Sequence, residues 1–392
     1  MPLKPKILFC LSRFPFPLEK GDKLRAYQQM RYLSQFYTID LFVVSHQHVN
    51  SKYKEELKQF VNQIYIYKLS FFSAFSGLMV ALFSKYPFQV GYFYNSGALK
   101  YFNSVIHKSK PNSIFTQLIR MSEYTRKINN IPIFLDYMDS FSKGMERRKN
   151  KSKGIKKYIF SLEEKKLKWY ETMVHNYFDK SFIISEQDLL TFDSKIQSNI
   201  TILPNGVDDT FFTKDIDKEK KYDLIFTGNM SYPPNVDAVI YVAKKVLPIL
   251  WKTNPEINFL IAGAQPSPSV KALESSKIKV SGWMDDIRDA YYVGKIFIAP
   301  LQIGTGLQNK LLEAMSMQLP CITSNLANNA LGAVHLDSIL IAQNPEDYAE
   351  LVIELLNNEN LYQKLSTNSR IFVQKNYNWE AITQQFISCI AQ

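Results

Sequence analysis

Residues 295–324 read KIFIAPLQIGTGLQNKLLEAMSMQLPCITS, and this stretch decides the fold class. Its first apolar run, residues 296–299, stops at Pro300 and favours a short buried strand. A run with leucines at helical spacing follows the glycines, Pro320 ends it, and a second apolar run begins there. Strand, glycine loop, helix and strand in this order form a unit of a parallel α/β sheet. We therefore predict an α/β fold in which this loop lies at the carboxyl edge, where open α/β sheets bind ligands.

The loop and the first helical turns carry residue types suited to anions and hydroxyl groups. Glycines let the backbone approach a ligand, and a helix amino terminus offers free N–H groups and the positive end of a dipole. Lys310 lies one turn into the helix, and Glu313 follows three residues later, where a carboxylate can accept hydrogen bonds from paired sugar hydroxyls. A Gly-x-Gly before a helix is common and identifies little by itself. The candidate ligand-binding residues of this stretch are Gly304, Thr305, Gly306, Leu307, Lys310 and Glu313.

The same stretch resembles the donor-site signature of family 4 glycosyltransferases, which have the GT-B fold. Many members carry two Glu eight positions apart, the second within Leu-Glu-Ala-Met and followed by a Pro. Residues 312–315 and Pro320 match this pattern, whereas Thr305 stands where the first Glu is expected. Gly304, Gly306 and Lys310 fit a branch of the family with Gly-x-Gly-x-x-x-Lys at this place. The resemblance extends, more weakly, over nearly the whole chain.

The overall composition is that of a globular protein. The 392 residues are enough for two domains with full cores, and 46% of them are hydrophobic and 21% charged. The three cysteines are far apart in apolar contexts, which favours reduced core residues of a cytoplasmic protein over a disulfide framework. We expect neither a signal peptide nor a transmembrane helix, because no apolar run reaches the necessary length.

The net charge of +11 is unevenly distributed. Residues 1–204 carry 31 basic and 16 acidic side chains, and residues 143–168 alone hold 11 against 3. Such asymmetry indicates an acidic partner for the first half. We predict contact between residues 143–157 and an anionic membrane surface, with a solvated face as the alternative. Nucleic acid is not expected as a partner, because the second half is acidic and no binding motif is present.

The first half opens as a βαβ unit, with strands at residues 6–11 and 38–44. We expect Asp22 to cap the helix between them. Gly21 resembles the family's amino-terminal glycine loop, which faces the cleft between the domains. Arg25, on the first turn, is either a cleft residue or a solvated surface Arg.

Two carboxylates and an apolar run are further features of this half. Asp136 and Asp139 follow a short strand at a carboxyl edge, where many family members have a His, so they are candidates for the cleft. The alternative for Asp139 is that it caps the next helix. Residues 149–157 are predicted to form a mobile, lysine-rich loop. The aromatic residues of the apolar run 71–83 are interpreted as core in preference to a face that touches lipid.

The second half begins at the turn Pro-Asn-Gly-Val-Asp of residues 204–208, which marks entry to the second domain in the family. Gly228 ends the first strand of this half. Three later residues resemble the loop whose backbone reads the nucleobase, namely Gly282, Trp283 and Met284. Core packing is the alternative for Trp283. Asp215 and Asp217 have metal-ligand spacing, but they lie in a charged linker, and neither they nor His46 and His48 predict a metal site.

Together these features predict two doubly wound, Rossmann-like domains of the GT-B fold facing a cleft. Residues 1–204, with residues 376–392 packing back on them, would hold the acceptor, and residues 205–375 would bind a nucleoside-diphosphate sugar. The resemblance implies a retaining, metal-independent hexosyltransferase without a cofactor. Its acceptor would be a hydroxyl of a glycan or lipid-linked molecule in cell-surface polysaccharide synthesis, at the cytoplasmic face of the membrane. Asp139, Lys310 and Glu313 are the predicted catalytic residues. Because Thr305 replaces a Glu, a non-catalytic GT-B module that binds a partner or glycan is the alternative.

Overall fold

The contacts within the chain divide it into two units, each with its own sheet and core. A computed structural model describes residues 4–18, 20–46, 49–213, 219–303 and 306–391. Unit 1 comprises Met1–Pro204 and Ile382–Gln392, and unit 2 comprises Asn205–Ala381. The return to unit 1 thus begins within the last helix and not at residue 376. The reason is local, since Trp379 packs against Gly206 and Asn378 bridges to Val207, both in unit 2.

Unit 1 is built on a parallel sheet with the strand order β3-β2-β1-β4-β5-β6-β7 in the part of the chain that the structure describes. Its strands are β1 Lys6–Leu11, β2 Thr38–Ser45, β3 Gln63–Lys68, β4 Ser113–Gln117, β5 Ile133–Met138, β6 Lys180–Ile183 and β7 Ile200–Ile202. Its helices are α1 Gly21–Leu33, α2 Ser51–Leu57, α3 Phe71–Leu82, α4 Phe88–Phe93, α5 Ser96–Ser109, α6 Ser122–Thr125, α7 Phe141–Asn150, α8 Gly154–His175, α9 Glu186–Leu189 and α10 Ser194–Gln197. Strands β1 and β4 lie at the centre and are almost wholly buried, as parallel strands covered on both faces must be.

Unit 2 repeats this architecture with the strand order β10-β9-β8-β11-β12-β13 among its described residues. Its strands are β8 Tyr222–Thr227, β9 Phe259–Ala262, β10 Ile278–Gly282, β11 Gly294–Ala299, β12 Cys321–Ser324 and β13 Leu340–Ala342. Its helices are α11 Pro233–Tyr241, α12 Leu247–Thr253, α13 Pro268–Lys271, α14 Arg288–Tyr292, α15 Asn309–Ser316, α16 Asn325–Leu331, α17 Pro345–Asn357 and α18 Glu359–Asn376, and α19 Trp379–Ile390 ends the chain. The predicted α/β class with two doubly wound parallel sheets is confirmed. The order reverses between β8 and β11, and this switch point is where such sheets bind ligands.

The predicted mobile loop at residues 149–157 is wrong. Helix α7 continues to Asn150 and α8 begins at Gly154, so that a short connection remains. The two helices pack as a hairpin, and Lys149 Nζ lies 2.6 Å from a carboxylate oxygen of Glu164. The high lysine content of this segment favours a loop, but in the structure the lysines lie on the solvent-facing sides of α7 and α8 and in the short connection between them.

The predicted core position of residues 71–83 is wrong as well. Residues 71–82 form helix α3 and Phe83 is its C-cap residue, and large apolar side chains here are exposed, Phe72 by 89% and Phe83 by 83%. Its buried positions hold small residues, Ala74 and Ala81. Hydrophobicity alone did not reveal that the helix packs on the protein through its small residues.

Helix α1 also begins differently from the prediction. Lys20 is the N-cap residue and makes no side-chain cap, and Asp22 lies in the first turn. The Asp22 carboxylate accepts a hydrogen bond of 2.9 Å from Arg13, which follows β1. Asp22 therefore pairs with Arg13 and does not cap the helix as predicted.

Candidate functional site

The end of strand β8 meets the start of helix α15 at the switch point of unit 2. Gly228 follows β8 with φ of 151°, a conformation that favours glycine. A Cβ built on Gly228 would lie 2.6 Å from Asn235 Nδ2 and 3.5 Å from Lys310 Cε. A Cβ on Gly263, after β9, would lie 2.0 Å from the Gly228 carbonyl oxygen. The backbones therefore touch here, and the structure brings Gly228 and Lys310 together.

Lys310 is half-buried on the first turn of α15. Its Nζ donates a hydrogen bond of 2.8 Å to Gln308 Oε1 and lies 5.8 Å from the ring centroid of Phe226. Burial lowers the pKa of Lys310 to about 8, although the nearby Glu313 acts in the opposite direction. A bound anion would favour the charged amine and raise this pKa again.

A buried tyrosine positions the carboxylate of Glu313. Tyr291, which is 1% exposed, donates its hydroxyl proton to Glu313 Oε2 over 2.7 Å. Thr227 Oγ1 lies 2.6 Å from the same hydroxyl and is left to act as its donor. Burial raises the pKa of Glu313, while Tyr291 and Lys310 lower it. The sequence did not identify Tyr291 or Thr227, because helix α14, strand β8 and helix α15 meet only in the folded unit.

The amino terminus of α15 has no side-chain cap. Gln308 is its N-cap residue, and the Gln308 side chain donates to the Gly306 carbonyl over 2.7 Å. Asn309 Oδ1 lies 3.4 Å from Asn205 Nδ2, at the entry to unit 2. Gly306 and Leu307 are half-buried, whereas Gly304 and Thr305 lie outside the described residues. The helix thus begins with backbone N–H groups that no side chain caps, as a phosphate site requires.

The loop after β10 exposes an aromatic side chain. Gly282 ends the strand with φ of 71°, and Trp283 is 63% exposed, so the core interpretation of Trp283 is wrong. Trp283 Nε1 donates to Asp285 Oδ1 over 3.2 Å. Met284 packs partly against the core of unit 2. The three residues predicted to read a base therefore lie at the carboxyl edge of the sheet that carries Lys310.

Arg25 and Asp136 form an internal ion pair of unit 1, and neither side chain is exposed. Arg25 Nε lies 2.6 Å from Asp136 Oδ2, and the guanidinium also donates to the carbonyl oxygens of Leu203 and Pro204. Gln29 donates to the same carboxylate. The predicted cleft role of both residues is therefore wrong, as is the solvated alternative for Arg25. A buried charge pair of this kind holds elements in place, since removing one partner leaves the other unpaired.

Asp139 is a solvent-exposed residue just beyond β5. Met138 before it has φ of 65°, which is uncommon for a residue with a side chain and turns the chain sharply out of the strand. The capping alternative for Asp139 is wrong, because Ser140 is the N-cap residue of α7 and accepts from the backbone N–H of Lys143 over 3.3 Å. Asp139 is therefore available to a ligand.

The charges around Asp139 tune its protonation. Although Asp139 is exposed as a residue, protein packed around its carboxyl group displaces water that would solvate the charged form, and this desolvation raises the pKa of Asp139 to about 6. The nearby Asp188 adds to the rise. Arg120 and Arg147 act in the opposite direction. Arg120 stacks over Phe141 at 4.8 Å and has its own pKa lowered to about 10, chiefly by burial. Arg120 was not predicted, since nothing in its local sequence distinguishes it from a surface residue.

A cavity of about 470 Å³ lies at the ends of β1 and β2 in unit 1. Arg13, Lys20 and His46 contribute polar groups to its lining, and Phe71 and Tyr92 contribute aromatic rings. The predicted cleft residue Gly21 begins α1 beside Lys20, and a Cβ there would meet nothing within 4 Å. Gly21 is therefore not required for a close approach, but it leaves the start of α1 open.

Neither a metal-binding cluster nor a membrane-spanning helix occurs in the part of the chain that the structure describes. No group of three or more His, Cys, Asp or Glu with the arrangement of a metal site occurs among these residues. Asp215, Asp217 and His48 lie outside them. No described helix combines the length and the apolar character that crossing a membrane requires.

Comparison with known proteins agrees with this geometry. Residues 221–358, which contain the described strands of the unit 2 sheet and helix α15, match the family model of glycosyl transferases group 1. An uncharacterized 44.6 kDa protein in the cps region of Klebsiella pneumoniae is 24% identical over 95% of this chain and 96% of its own length. The UDP-Gal:alpha-D-GlcNAc-diphosphoundecaprenol alpha-1,3-galactosyltransferase of Escherichia coli is 24% identical over 46% of this chain and 50% of its own length.

Among solved structures, Anabaena HepE in complex with UDP and glucose superposes with a TM-score of 0.70. It is 12% identical, and the match covers 99% of this chain and 100% of HepE, so the likeness concerns the fold. The predicted resemblance is thereby confirmed in sequence and in fold. Residues 221–358 of the chain are thus similar to group 1 glycosyltransferases, and the chain has the GT-B fold.

Proposed function

We propose that this protein transfers a hexosyl group from a nucleoside-diphosphate sugar to a hydroxyl of a glycan or lipid-linked acceptor in cell-surface polysaccharide synthesis. The observation that carries the proposal is the convergence of Gly228, Lys310 and Glu313 at the switch point of the unit 2 sheet. A glycine backbone, a lysine amine and a carboxylate held by Tyr291 lie there beside the amino terminus of α15, which no side chain caps. These are the groups that a diphosphate linked to a sugar needs.

The leaving diphosphate gains negative charge as the glycosyl bond breaks. Lys310 and the N–H groups at the start of α15 would stabilise this charge, because preorganised donors act most strongly where charge develops. Glu313, held by Tyr291, would accept hydrogen bonds from hydroxyls of the donor. With Lys310 in this role, the reaction needs no metal or further cofactor, and we propose the retaining course that the family resemblance implies.

Unit 1 would hold the acceptor. Asp139 is an exposed residue of this unit just beyond the carboxyl end of β5, and with a pKa of about 6 it is largely ionised at neutral pH. We assign it to the acceptor hydroxyl, whose proton must be released during transfer. The basic side chains of residues 143–157 would attract an anionic membrane surface, and the protein would then bind peripherally at the cytoplasmic face.

The relatives suggest the first ligands to test. HepE was solved with UDP and glucose, and the Escherichia coli relative is named for a UDP-sugar donor and a diphosphoundecaprenol-linked acceptor. We therefore propose uridine diphosphate as the leaving group and a lipid diphosphate as the carrier of the acceptor. Neither ligand follows from the fold alone.

Thermal-shift titration with UDP, GDP, ADP and CMP tests donor binding, and release of UDP from UDP-sugars by the purified protein tests the chemistry. We expect UDP to stabilise the protein and a UDP-hexose to be hydrolysed slowly without acceptor and transferred with it. The replacement of a family Glu by Thr305 favours the alternative, a non-catalytic module. Binding without turnover on any donor and acceptor would support that alternative and contradict the proposal.

A further inference from the structure

Helix α3 packs on the protein through its small residues and turns its large ones outward. Ala74, Gly77 and Ala81 lie along the side that meets α4. At the crossing, a Cβ on Gly77 would lie 2.1 Å from the carbonyl oxygen of Gly91, so the two backbones are in contact. Large apolar side chains outside this contact are exposed, Phe71 by 78%, Phe72 by 89%, Phe75 by 65% and Val80 by 66%, as is the C-cap residue Phe83 by 83%. An amphipathic helix of a globular protein normally buries its large residues, so this exposed row indicates an interaction site.

The carboxyl end of α3 is attached to α8. Lys166 Nζ donates to the carbonyl oxygens of Ala81 and Leu82 and lies 4.8 Å from the ring centroid of Phe88. Further along α8, towards its start, three more apolar side chains are exposed, Ile155 by 77%, Tyr158 by 70% and Ile159 by 45%. Their helical spacing puts them on the face of Lys166, within roughly 16 Å of it along the helix axis. Lys166 thus connects the carboxyl end of α3 to the face of α8 that carries these exposed side chains.

Cations accompany these apolar side chains. Lys85, Lys153, Lys156 and Lys157 are exposed beside them. By contrast, Lys143 is paired with Glu146. The residues of α3 and of the start of α8 thus combine large apolar groups with several lysines, and we call this the aromatic–basic surface.

An anionic lipid bilayer matches both properties of this surface. Aromatic and aliphatic side chains partition into the boundary between headgroups and acyl chains, and lysines are attracted by anionic headgroups. Either signal alone gives weak binding, and together they give stable attachment. We infer that the aromatic–basic surface docks this protein on an anionic bilayer, with the side chains of α3 inserted among the headgroups.

The aromatic–basic surface borders the cavity of unit 1. Phe71 belongs both to the exposed row of α3 and to the cavity wall, which also contains Arg13 and Lys20. An acceptor with an anionic head and an apolar tail could therefore place its head beside these cations while its tail stays in the bilayer. This step rests on the proposed glycosyl transfer and specifies its acceptor class as lipid-linked. The docking itself does not depend on the transfer.

Vesicle co-sedimentation of the full chain tests the docking. Wild-type protein should sediment with vesicles of phosphatidylcholine and phosphatidylglycerol and remain in solution with phosphatidylcholine alone. A variant with Phe72→Ser, Phe75→Ser and Phe83→Ser should bind at least tenfold more weakly. A variant with Lys153→Gln, Lys156→Gln and Lys157→Gln should lose affinity at low salt and differ little from wild type at high salt, where headgroup charge is screened.

Matched controls change the same chemistry elsewhere. Leu190→Ser, Val334→Ser and Ile371→Ser together remove exposed apolar groups outside the surface, and Lys244→Gln, Lys245→Gln and Lys271→Gln remove exposed charges from unit 2. Both control variants should retain vesicle binding. All these side chains are exposed, so circular dichroism should show folded protein in every case.

Three results would overturn the docking. They are equal recovery on neutral and anionic vesicles, no recovery on either, and full binding by the phenylalanine variant. A wild-type dimer that the phenylalanine variant converts to a monomer, without vesicle binding, would assign the surface to a second copy of the chain. Stabilisation by UDP and transfer to a short, soluble acceptor are measured on the same samples, so failure of the docking and failure of the proposed transfer are read separately. Equal transfer by wild type and phenylalanine variant to an acceptor embedded in vesicles would contradict the lipid-linked acceptor class.

Discussion

Lys310 has an amine whose charge depends on pH in the working range. Its pKa is lowered to about 8, so the free protein carries this charge below pH 8 and loses it above. We expect UDP affinity to fall as the pH rises from 7 to 9.5, with bound diphosphate shifting the loss upward because it favours the charged amine. Lys310→Arg should remove the pH dependence, since arginine stays charged. Isothermal titration with UDP at each pH measures this, and a flat wild-type profile would contradict it.

Replacement of Lys310 by Ala separates phosphate recognition from base recognition. Lys310→Ala should weaken inhibition by the nucleoside diphosphate at least tenfold and inhibition by the nucleoside only slightly. The reason is that the amine has an anion as its partner and the nucleoside has none. Equal weakening of both inhibitors would show that Lys310 does not meet the phosphates.

Glu313 and Tyr291 can be tested as a pair. Glu313→Gln keeps the shape but loses the charged acceptor, which we expect to cost about 1.5–3 kcal/mol in transition-state stabilisation. Tyr291→Phe removes the hydroxyl that holds the Glu313 carboxylate at 2.7 Å and should cause a smaller loss. Turnover of donor at saturating acceptor measures both. If Tyr291 acts only through Glu313, the double variant should be no slower than Glu313→Gln, and additive losses would contradict that role.

The raised pKa of Asp139 predicts that the turnover rate falls at acidic pH. Its pKa is raised to about 6, so the carboxylate is charged above that pH and protonated below it. Turnover should therefore fall as the pH drops through 6, whereas donor affinity should not. Asp139→Asn should depress turnover at least a hundredfold at pH 7 with the donor dissociation constant unchanged, since general-base catalysis contributes about 10²–10⁴-fold. Wild-type turnover in Asp139→Asn would remove Asp139 from the chemistry.

Local sequence made Gly228, Lys310 and Glu313 candidates, because strand ends, glycines and helix phase can be read within short segments, and the structure places Gly228 next to Lys310. It did not identify the partners supplied by distant segments. Tyr291 reaches Glu313 across 22 residues, and Arg25 reaches Asp136 across 111 residues. Because Arg25 and Asp136 pair with each other, they support the fold of unit 1 and do not face the cleft as predicted. The sequence pattern around either residue gives no indication of this pairing.

At the scale of elements, helix α3 shows that small residues can decide which side of a helix packs against the protein. The sequence could show that residues 71–83 are apolar, but not which side of the helix faces the protein. That choice follows from Gly77 and Gly91, which allow α3 and α4 to approach more closely than a helix with larger side chains would permit. The large residues consequently remain outside.

The helix crossing gives a stability prediction with an internal control. A Cβ at Gly91 would lie 2.6 Å from the Gly77 carbonyl oxygen and 2.7 Å from the Cβ of Ala81. Gly91→Ala should therefore lower the free energy of unfolding of unit 1 by about 1–3 kcal/mol, because the crossing has no space for it. Gly144→Ala, in helix α7, meets nothing within 4 Å and should raise stability by about 0.4–1 kcal/mol. Urea unfolding monitored by circular dichroism measures both, and equal effects would show that the crossing is looser than described.

At the scale of the molecule, the sequence predicted two α/β units because alternating apolar runs and helical segments recur along the chain. Their separate cores follow from that pattern, one around β1 and β4 and the other around β8 and β11. The charge also divides with the units, as residues 1–204 carry the basic excess. The end of the chain was placed less well, because α19 begins in unit 2 at Trp379 and ends in unit 1. A helix shared by two cores has no boundary signal of its own.

Independent cores predict that a donor nucleotide stabilises one unit more than the other. Of the four tryptophans, Trp169 lies in unit 1, and Trp251, Trp283 and Trp379 lie in unit 2, so tryptophan fluorescence reports mainly on unit 2. At a UDP concentration of 100 times its dissociation constant, a site in unit 2 should add about 2.7 kcal/mol to the stability of that unit. UDP should therefore raise the midpoint temperature of thermal unfolding that tryptophan fluorescence reports. In a variant that keeps Trp169 and has the other three tryptophans replaced by Phe, the rise in midpoint temperature should be smaller. Lys310→Ala at the same UDP concentration should abolish most of the shift, and an equal rise at all four tryptophans would mean that the two units unfold as one.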